Sequence, residues 1–93
     1  SYSKPIIWDT PVELLSGNGV VGVKEDGDLD IHFHGVFMDH KKSLSGGHFI
    51  EGGNIVAITV EFTVFATAVI QARKEFNQTL GFSFFNFYER EDR

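Results

Sequence analysis

The sequence contains no cysteine and only two prolines among its 93 residues. Without cysteine, disulfide bonds and thiolate metal sites are excluded. Proteins of reducing compartments do without disulfides, so we expect a cytoplasmic location. The sequence also lacks an apolar run of the roughly 20 residues that a membrane-spanning helix needs. No basic-then-apolar signal sequence opens the chain, and we therefore expect no membrane partner.

Basic residues are also few. Eight Lys and Arg face thirteen Asp and Glu, which gives a net charge of −5. Lys41-Lys42 and Arg73-Lys74 are pairs rather than a patch. Because nucleic-acid binding depends on neutralising phosphates, direct DNA binding by this domain alone is disfavoured. Clustering of the basic residues in the fold or across subunits would change that balance.

The residues that are present predict one packed domain over 1–93, since 42% are hydrophobic and ten are Phe. Ile55–Ala66 gives the strongest strand pattern, because it is rich in β-branched residues and every even position is apolar. Ala68–Phe76 fits either a helix or a strand, and we favour a strand. The alternation of apolar and polar residues predicts further strands at Val12–Val23, Leu29–Met38, Leu44–Ile50 and Phe82–Tyr88.

Three of the four histidines, His32, His34 and His48, fall in one short span. Residues two apart on a strand point to the same face, so His32 and His34 project together. A hairpin loop at Asp39–Ser43 would place His34 directly opposite His48. A slip of one residue in this register would move His48 to the other face of the sheet.

Three imidazoles without a fourth protein ligand leave a coordination position open, which is typical of catalytic or ligand-binding zinc. Imidazole also suits copper, nickel and iron, so the pattern predicts a divalent metal, with zinc favoured. The alternative is that these are ordinary histidines at the surface or at a subunit interface. His40 lies in the predicted loop, where we expect it to be solvated.

Three carboxylates are further candidates. Glu61 lies in the middle of a predicted strand, where it could act as a catalytic acid or base beside a metal-bound water. It could instead orient a histidine, or simply face solvent or a neighbouring subunit. Glu51 has the same possible roles, and for it we favour a carboxylate that simply faces solvent or a neighbouring subunit. Asp30 shares the predicted face of His32 and either orients that histidine or is exposed.

Three motifs resemble the PPC domain, the "plants and prokaryotes conserved" domain. They are His32-Phe33-His34, Gly46-Gly47-His48 and Thr59-Val60-Glu61. The family has Thr-Ala-Glu at the third motif. The segment 12–19 also resembles the family's strand that ends in Ser-Gly-Asn, and 76–81 resembles the loop before its last strand. The resemblance runs from Pro11 to about Phe87.

The resemblance implies an α+β fold dominated by a mixed or antiparallel β-sheet and related to acetolactate decarboxylase. The family's N-terminal strand and helix have no counterpart here, so we expect a fragment or a short member. The resemblance also implies a stand-alone prokaryotic protein that forms a homotrimer and holds metal through His32, His34 and His48.

The function that the resemblance implies is that of a metal-binding regulatory module associated with DNA. The AT-hook motif Arg-Gly-Arg-Pro, to which the plant relatives owe their DNA contact, is absent from this sequence. An alternative is a zinc-dependent lyase or hydrolase that uses Glu61 and takes a small carboxylate ligand. A second alternative is a structural oligomerisation domain.

Overall fold

A computed structural model describes residues 4–90, and all regular secondary structure in this range is β-strand. The strands form one five-stranded sheet in the order β3-β2-β1-β4-β5. The pairs β2–β3 and β4–β5 are antiparallel, whereas β1 and β4 run parallel. Within this range, no helix has the length and apolarity to cross a bilayer. The strands are β1 (Glu13–Val23), β2 (Leu29–Met38), β3 (Leu44–Phe49), β4 (Ile70–Asn77) and β5 (Phe82–Glu89).

The fold class is therefore all-β across residues 4–90, and the α part of the expected α+β fold is wrong for this range. The mixed sheet is confirmed. The ambiguous segment around Ala68–Phe76 forms β4, because it pairs with β5 along its whole length from Ile70 to Asn77. Backbone pairing with a neighbouring strand outweighs the modest helix propensity of its Ala, Gln, Arg and Lys residues.

The strand predicted at Ile55–Ala66 is a second correction. This segment forms no regular secondary structure, and all of its residues are exposed. Ile58 and Phe65 are 90% and 94% exposed. A strand requires a neighbour to accept and donate its backbone hydrogen bonds, and β-propensity alone does not supply one.

The chain divides into two compact units. The first unit combines the residues up to Gly19 with His32–Val60, and the second combines Val20–Ile31 with the residues from Glu61 onward. All three candidate metal ligands belong to the first unit.

In the first unit, the loop between β2 and β3 is held by Asp39. Its carboxylate Oδ1 accepts hydrogen bonds from the backbone N–H groups of Lys41 and Ser43, both at 2.9 Å. The Asp39 N–H also donates to the Ser43 carbonyl at 3.0 Å. Asp is favoured in turns because its short side chain bonds to the backbone a few residues on. The predicted loop at Asp39–Ser43 is confirmed.

One face of the β2–β3 hairpin carries an aromatic cluster. Phe49 meets Phe33 and Phe37 edge-to-face, with ring centroids 5.3 and 6.0 Å apart. Trp8 adds a third edge contact to Phe37 at 5.1 Å, and Phe37 is only 6% exposed. Edge-to-face aromatic pairs contribute stability beyond the burial of their surface. Because side chains alternate along a strand, the opposite face of the hairpin carries the histidines.

In the second unit, charged side chains of β4 contact residues of β2 and β5. Lys74 Nζ lies 2.9 Å from the Asp30 carboxylate at the start of β2, and Asp30 is 7% exposed. On β5, the Tyr88 hydroxyl and the Asn86 amide donate to Glu75 Oε1. The Tyr88 hydrogen bond is the largest cause that lowers the pKa of Glu75, and the same bond raises the pKa of Tyr88.

Candidate metal centre

The register of the β2–β3 hairpin brings the histidines together. His34 is the direct partner of His48, as the loop position predicts. Pairing is continuous from Phe33 opposite Phe49 to Met38 opposite Leu44. His32 follows on the same face of β2, two residues from His34. Local alternation and the five-residue loop are therefore enough to assemble the cluster.

The three imidazoles form a tight group. The ring centroid of His32 lies 4.4 Å from that of His34 and 4.5 Å from that of His48. The remaining pair, His34 and His48, is 5.4 Å apart. His32 is half-buried, and the other two rings are exposed. The cluster is thus accessible from solvent rather than sealed in a core.

The geometry of the cluster fits a tetrahedral metal ion. One nitrogen from each ring can be chosen such that all three lie within 4.8 Å of one another. Zinc binds imidazole nitrogen at about 2.0–2.1 Å, so the nitrogens of a tetrahedral site lie about 3.3 Å apart. To bind a metal ion, the nitrogens would have to move closer together, and the rings of His34 and His48 are exposed. In such a site the chain would supply three of the four ligands, and one position would be left for a small molecule.

Gly46 allows β3 to lie close against β2. A Cβ atom at this position would stand 2.7 Å from the Gly35 carbonyl oxygen, a distance that real side chains do not adopt. A Gly-Gly pair in a strand allows either a close approach of two backbones or a bulge. The ladder runs through Gly46 and Gly47 without interruption, so the close approach is the form that the chain takes.

A shallow groove of about 350 Å³ adjoins the cluster. It shares His34 with the histidine group, and Val36, two residues further along β2, forms another part of its wall. The middle of β1 contributes Ser16, Gly17 and Asn18. Sequence reasoning did not assign a role to these residues. The one sequence feature that marks them is the similarity of Ser16-Gly17-Asn18 to the family's Ser-Gly-Asn strand. That similarity does not indicate which ligand these residues would bind.

The other predicted residues are placed as follows. Glu61 is exposed in the segment without regular structure and belongs to the second unit. Glu51 is exposed just beyond β3, in the same unit as the histidines. Asp30 is buried and paired with Lys74, so its exposed interpretation is wrong. His40 is exposed as expected, and its Nδ1 shares a 3.0 Å hydrogen bond with the Thr10 hydroxyl.

Comparison with known families bears on this site. The sequence model of the Plants and Prokaryotes Conserved (PCC) domain matches residues 1–68. That span is 68 of the 93 residues. The chain belongs to the PCC domain family. It is the family that the three motifs resemble. No curated protein and no solved structure matches the chain.

The PCC match contains His32, His34, His48 and Glu61, together with Ser16 and Asn18 of the groove. The strands β4 and β5 lie outside the matched residues. The similarity of 76–81 to the family's last loop therefore stays a prediction. The PCC domain as matched here centres on the hairpin that carries the histidines.

Proposed function

We propose that this PCC domain binds one divalent metal ion, with zinc preferred, through the imidazoles of His32, His34 and His48. The observation that carries the proposal is the approach of three imidazole nitrogens to within 4.8 Å of one another at an exposed site. Imidazole is among the preferred ligands of zinc, copper and nickel. Three protein ligands leave a fourth position open to a water molecule or to a ligand.

Calorimetric titration of the untagged protein with Zn²⁺ tests this proposal. We expect one equivalent to bind to the wild type, and His34→Ala and His48→Ala each to weaken binding by tenfold or more. Losing a metal ligand should weaken zinc binding more than losing the group that hydrogen-bonds to that ligand. Loss of such a group typically weakens metal binding about 10–100-fold. The matched control is His40→Ala, because His40 is an exposed histidine outside the cluster. Equal zinc affinity in the wild type and all three variants would disprove the site.

We further propose that the domain assembles as a homotrimer, as the resemblance to the family implies. Support comes from the apolar segment around Ile55–Ala66, whose side chains are exposed in the single chain. Contiguous exposed apolar residues mark interaction surfaces in soluble proteins. The assembled domain would act as a regulatory module, with DNA association as the role implied by the family.

Charge gives direct DNA contact little support. The net charge is −5, and Lys74 is engaged with Asp30. The pair Lys41-Lys42 in the β2–β3 loop is the basic feature nearest in sequence to the histidines. Fluorescence anisotropy with labelled duplex DNA at low salt distinguishes the roles. Binding that weakens steeply with salt supports direct contact, whereas no binding at about 50 mM salt excludes it.

A metal-dependent enzyme of the lyase or hydrolase type is the alternative function. The exposed cluster with an adjoining groove favours it, because catalytic metal sites keep an open position next to a substrate pocket. A bound metal would polarise a substrate oxygen. Glu51, which belongs to the same unit as the histidines, would then move protons. Turnover of a β-keto acid that is lost on chelation and in Glu51→Gln would identify this activity.

A further inference from the structure

The groove beside His34 has the chemistry of a ligand site. It holds about 350 Å³, near the lower end of the size of small-molecule sites. His34 belongs both to the groove and to the histidine cluster. A molecule in the groove would therefore lie next to a metal ion bound by the cluster.

The charge of a bound metal ion and the uncharged lining of the groove together indicate which kind of ligand would bind. Three neutral imidazoles bring no negative charge, so a bound divalent ion keeps its charge of +2. The residues that line the groove include no Asp, Glu, Lys or Arg. An anionic oxygen from a ligand would therefore complete the coordination and offset the charge of the metal.

The groove offers both polar and apolar contacts. The Ser16 hydroxyl and the Asn18 amide are hydrogen-bond donors for a second oxygen of the ligand. Val36 is 45% exposed, and it lies on the same face of β2 as His34. Its side chain forms an apolar wall of the groove. A ligand that matches all three features has a carboxylate head and a short alkyl tail.

We infer that this groove binds a small organic monocarboxylate, with its head toward the metal and its tail against Val36. The inference rests on the proposed metal site. Ser16 and Asn18 hold the second carboxylate oxygen. Inorganic phosphate shares the anionic oxygens but has no apolar tail, so it cannot use the Val36 wall.

Titration of the Co²⁺-loaded protein with acetate, propionate, butyrate and phosphate tests the inference without any assay of turnover. The visible absorption of Co²⁺ reports a change in its ligands. We expect saturable changes with the carboxylates, and a Kd that falls about two- to fourfold for each added methylene. Tighter binding of phosphate than of butyrate, or no spectral change with any carboxylate, would overturn the inference.

Two variants separate the groove from the metal. Val36→Thr keeps the shape of the side chain and should abolish the dependence of Kd on chain length. Its matched control is Val21→Thr, which changes an exposed strand valine outside the groove. Asn18→Ala should weaken all carboxylates by about tenfold, since a hydrogen bond to a charged group is lost. Its control is Gln78→Ala in the exposed turn before β5.

The outcomes also distinguish the two proposals. Wild-type protein that binds Co²⁺ through the histidines but ignores carboxylates would overturn the groove inference alone. Failure to bind Co²⁺ as well as Zn²⁺ would overturn both. Variants that match their controls in carboxylate affinity and in chain-length dependence would show that the groove does not hold the ligand.

Discussion

At the residue scale, Glu75 shows how one carboxylate is tuned by its neighbours. The Tyr88 hydroxyl and the Asn86 amide both donate to Glu75 Oε1, and Arg73 lies 4.4 Å from the centre of the Tyr88 ring. These donors favour the ionised carboxylate, so the pKa of Glu75 falls below its ordinary value. A lowered pKa in the folded state contributes stability above the ordinary pKa, and this contribution is lost as pH falls through the folded value.

Tyr88→Phe tests this coupling. The substitution removes the donor but keeps the ring under Arg73, so the pKa of Glu75 should rise toward its ordinary value. A ¹³C NMR titration of the Glu75 carboxyl group measures the change. Asn86→Ala should produce a smaller rise, because its hydrogen bond is the second cause. An unchanged Glu75 titration in Tyr88→Phe would show that the hydrogen bond does not form in solution.

The histidine residues illustrate what sequence can reveal at this scale. His32, His34 and His48 were identified because their face and register follow from alternation and loop position, which are local properties. The Asp30–Lys74 pair was missed, because it joins residues 44 positions apart. No local sequence pattern predicts a contact that depends on how strands distant in sequence are arranged in the sheet.

At the element scale, β1 and β4 approach each other closely at Gly22. A Cβ atom there would lie 2.5 Å from both the Ala72 carbonyl oxygen and the Phe85 ring. Gly22 and Ala72 are both buried. The parallel pairing of Val23 with Arg73 therefore depends on a position without a side chain.

Gly22→Ala should destabilise the fold by about 1–3 kcal/mol, the usual cost of forcing a methyl group into a packed site. Urea denaturation measures the change in the free energy of unfolding. Val21→Ala is the control, since Val21 is adjacent and 59% exposed. We expect it to cost less than about 1 kcal/mol. Equal losses in the two variants would contradict the close approach at Gly22.

The elements themselves were predictable where their partners were adjacent in sequence. β2 and β3 form a hairpin through a short loop, and β4 and β5 form another through a turn at Asn77, whose Oδ1 accepts from the Leu80 N–H. The segment Ile55–Ala66 had a stronger strand pattern than any of these but forms no strand. β-propensity is a property of single residues, whereas a strand forms only when it pairs with a neighbouring strand.

At the scale of the whole molecule, the main feature of residues 4–90 is apolar surface that is exposed in the single chain. Four large side chains of one segment are at least 79% exposed, namely Ile55, Ile58, Phe62 and Phe65. Burial of each would contribute about 1.5–3 kcal/mol. In the proposed trimer, burial of this surface would stabilise the protein.

Phe62→Asp should shift the assembled protein toward the single chain. Burying a charge in an apolar interface has a desolvation cost, and the apolar interface offers no partner that would offset it. Light scattering after size-exclusion chromatography reports the mass of the species. Leu80→Asp is the matched control, because Leu80 is 56% exposed in the turn before β5 and outside the segment. A wild-type protein that elutes as a single chain would contradict the proposed trimer.

The five-residue loop of the β2–β3 hairpin has a consequence for how the site is inherited. Asp39 fixes the loop, and the loop fixes which residue of β3 faces His34. Inserting or deleting a single residue there can reverse the face of His48 while leaving all three histidines in the sequence. The interval of fourteen positions from His34 to His48 is therefore as much a part of the centre as the imidazoles. A relative that keeps the histidines but shifts the strand register by one residue is expected to have lost the site.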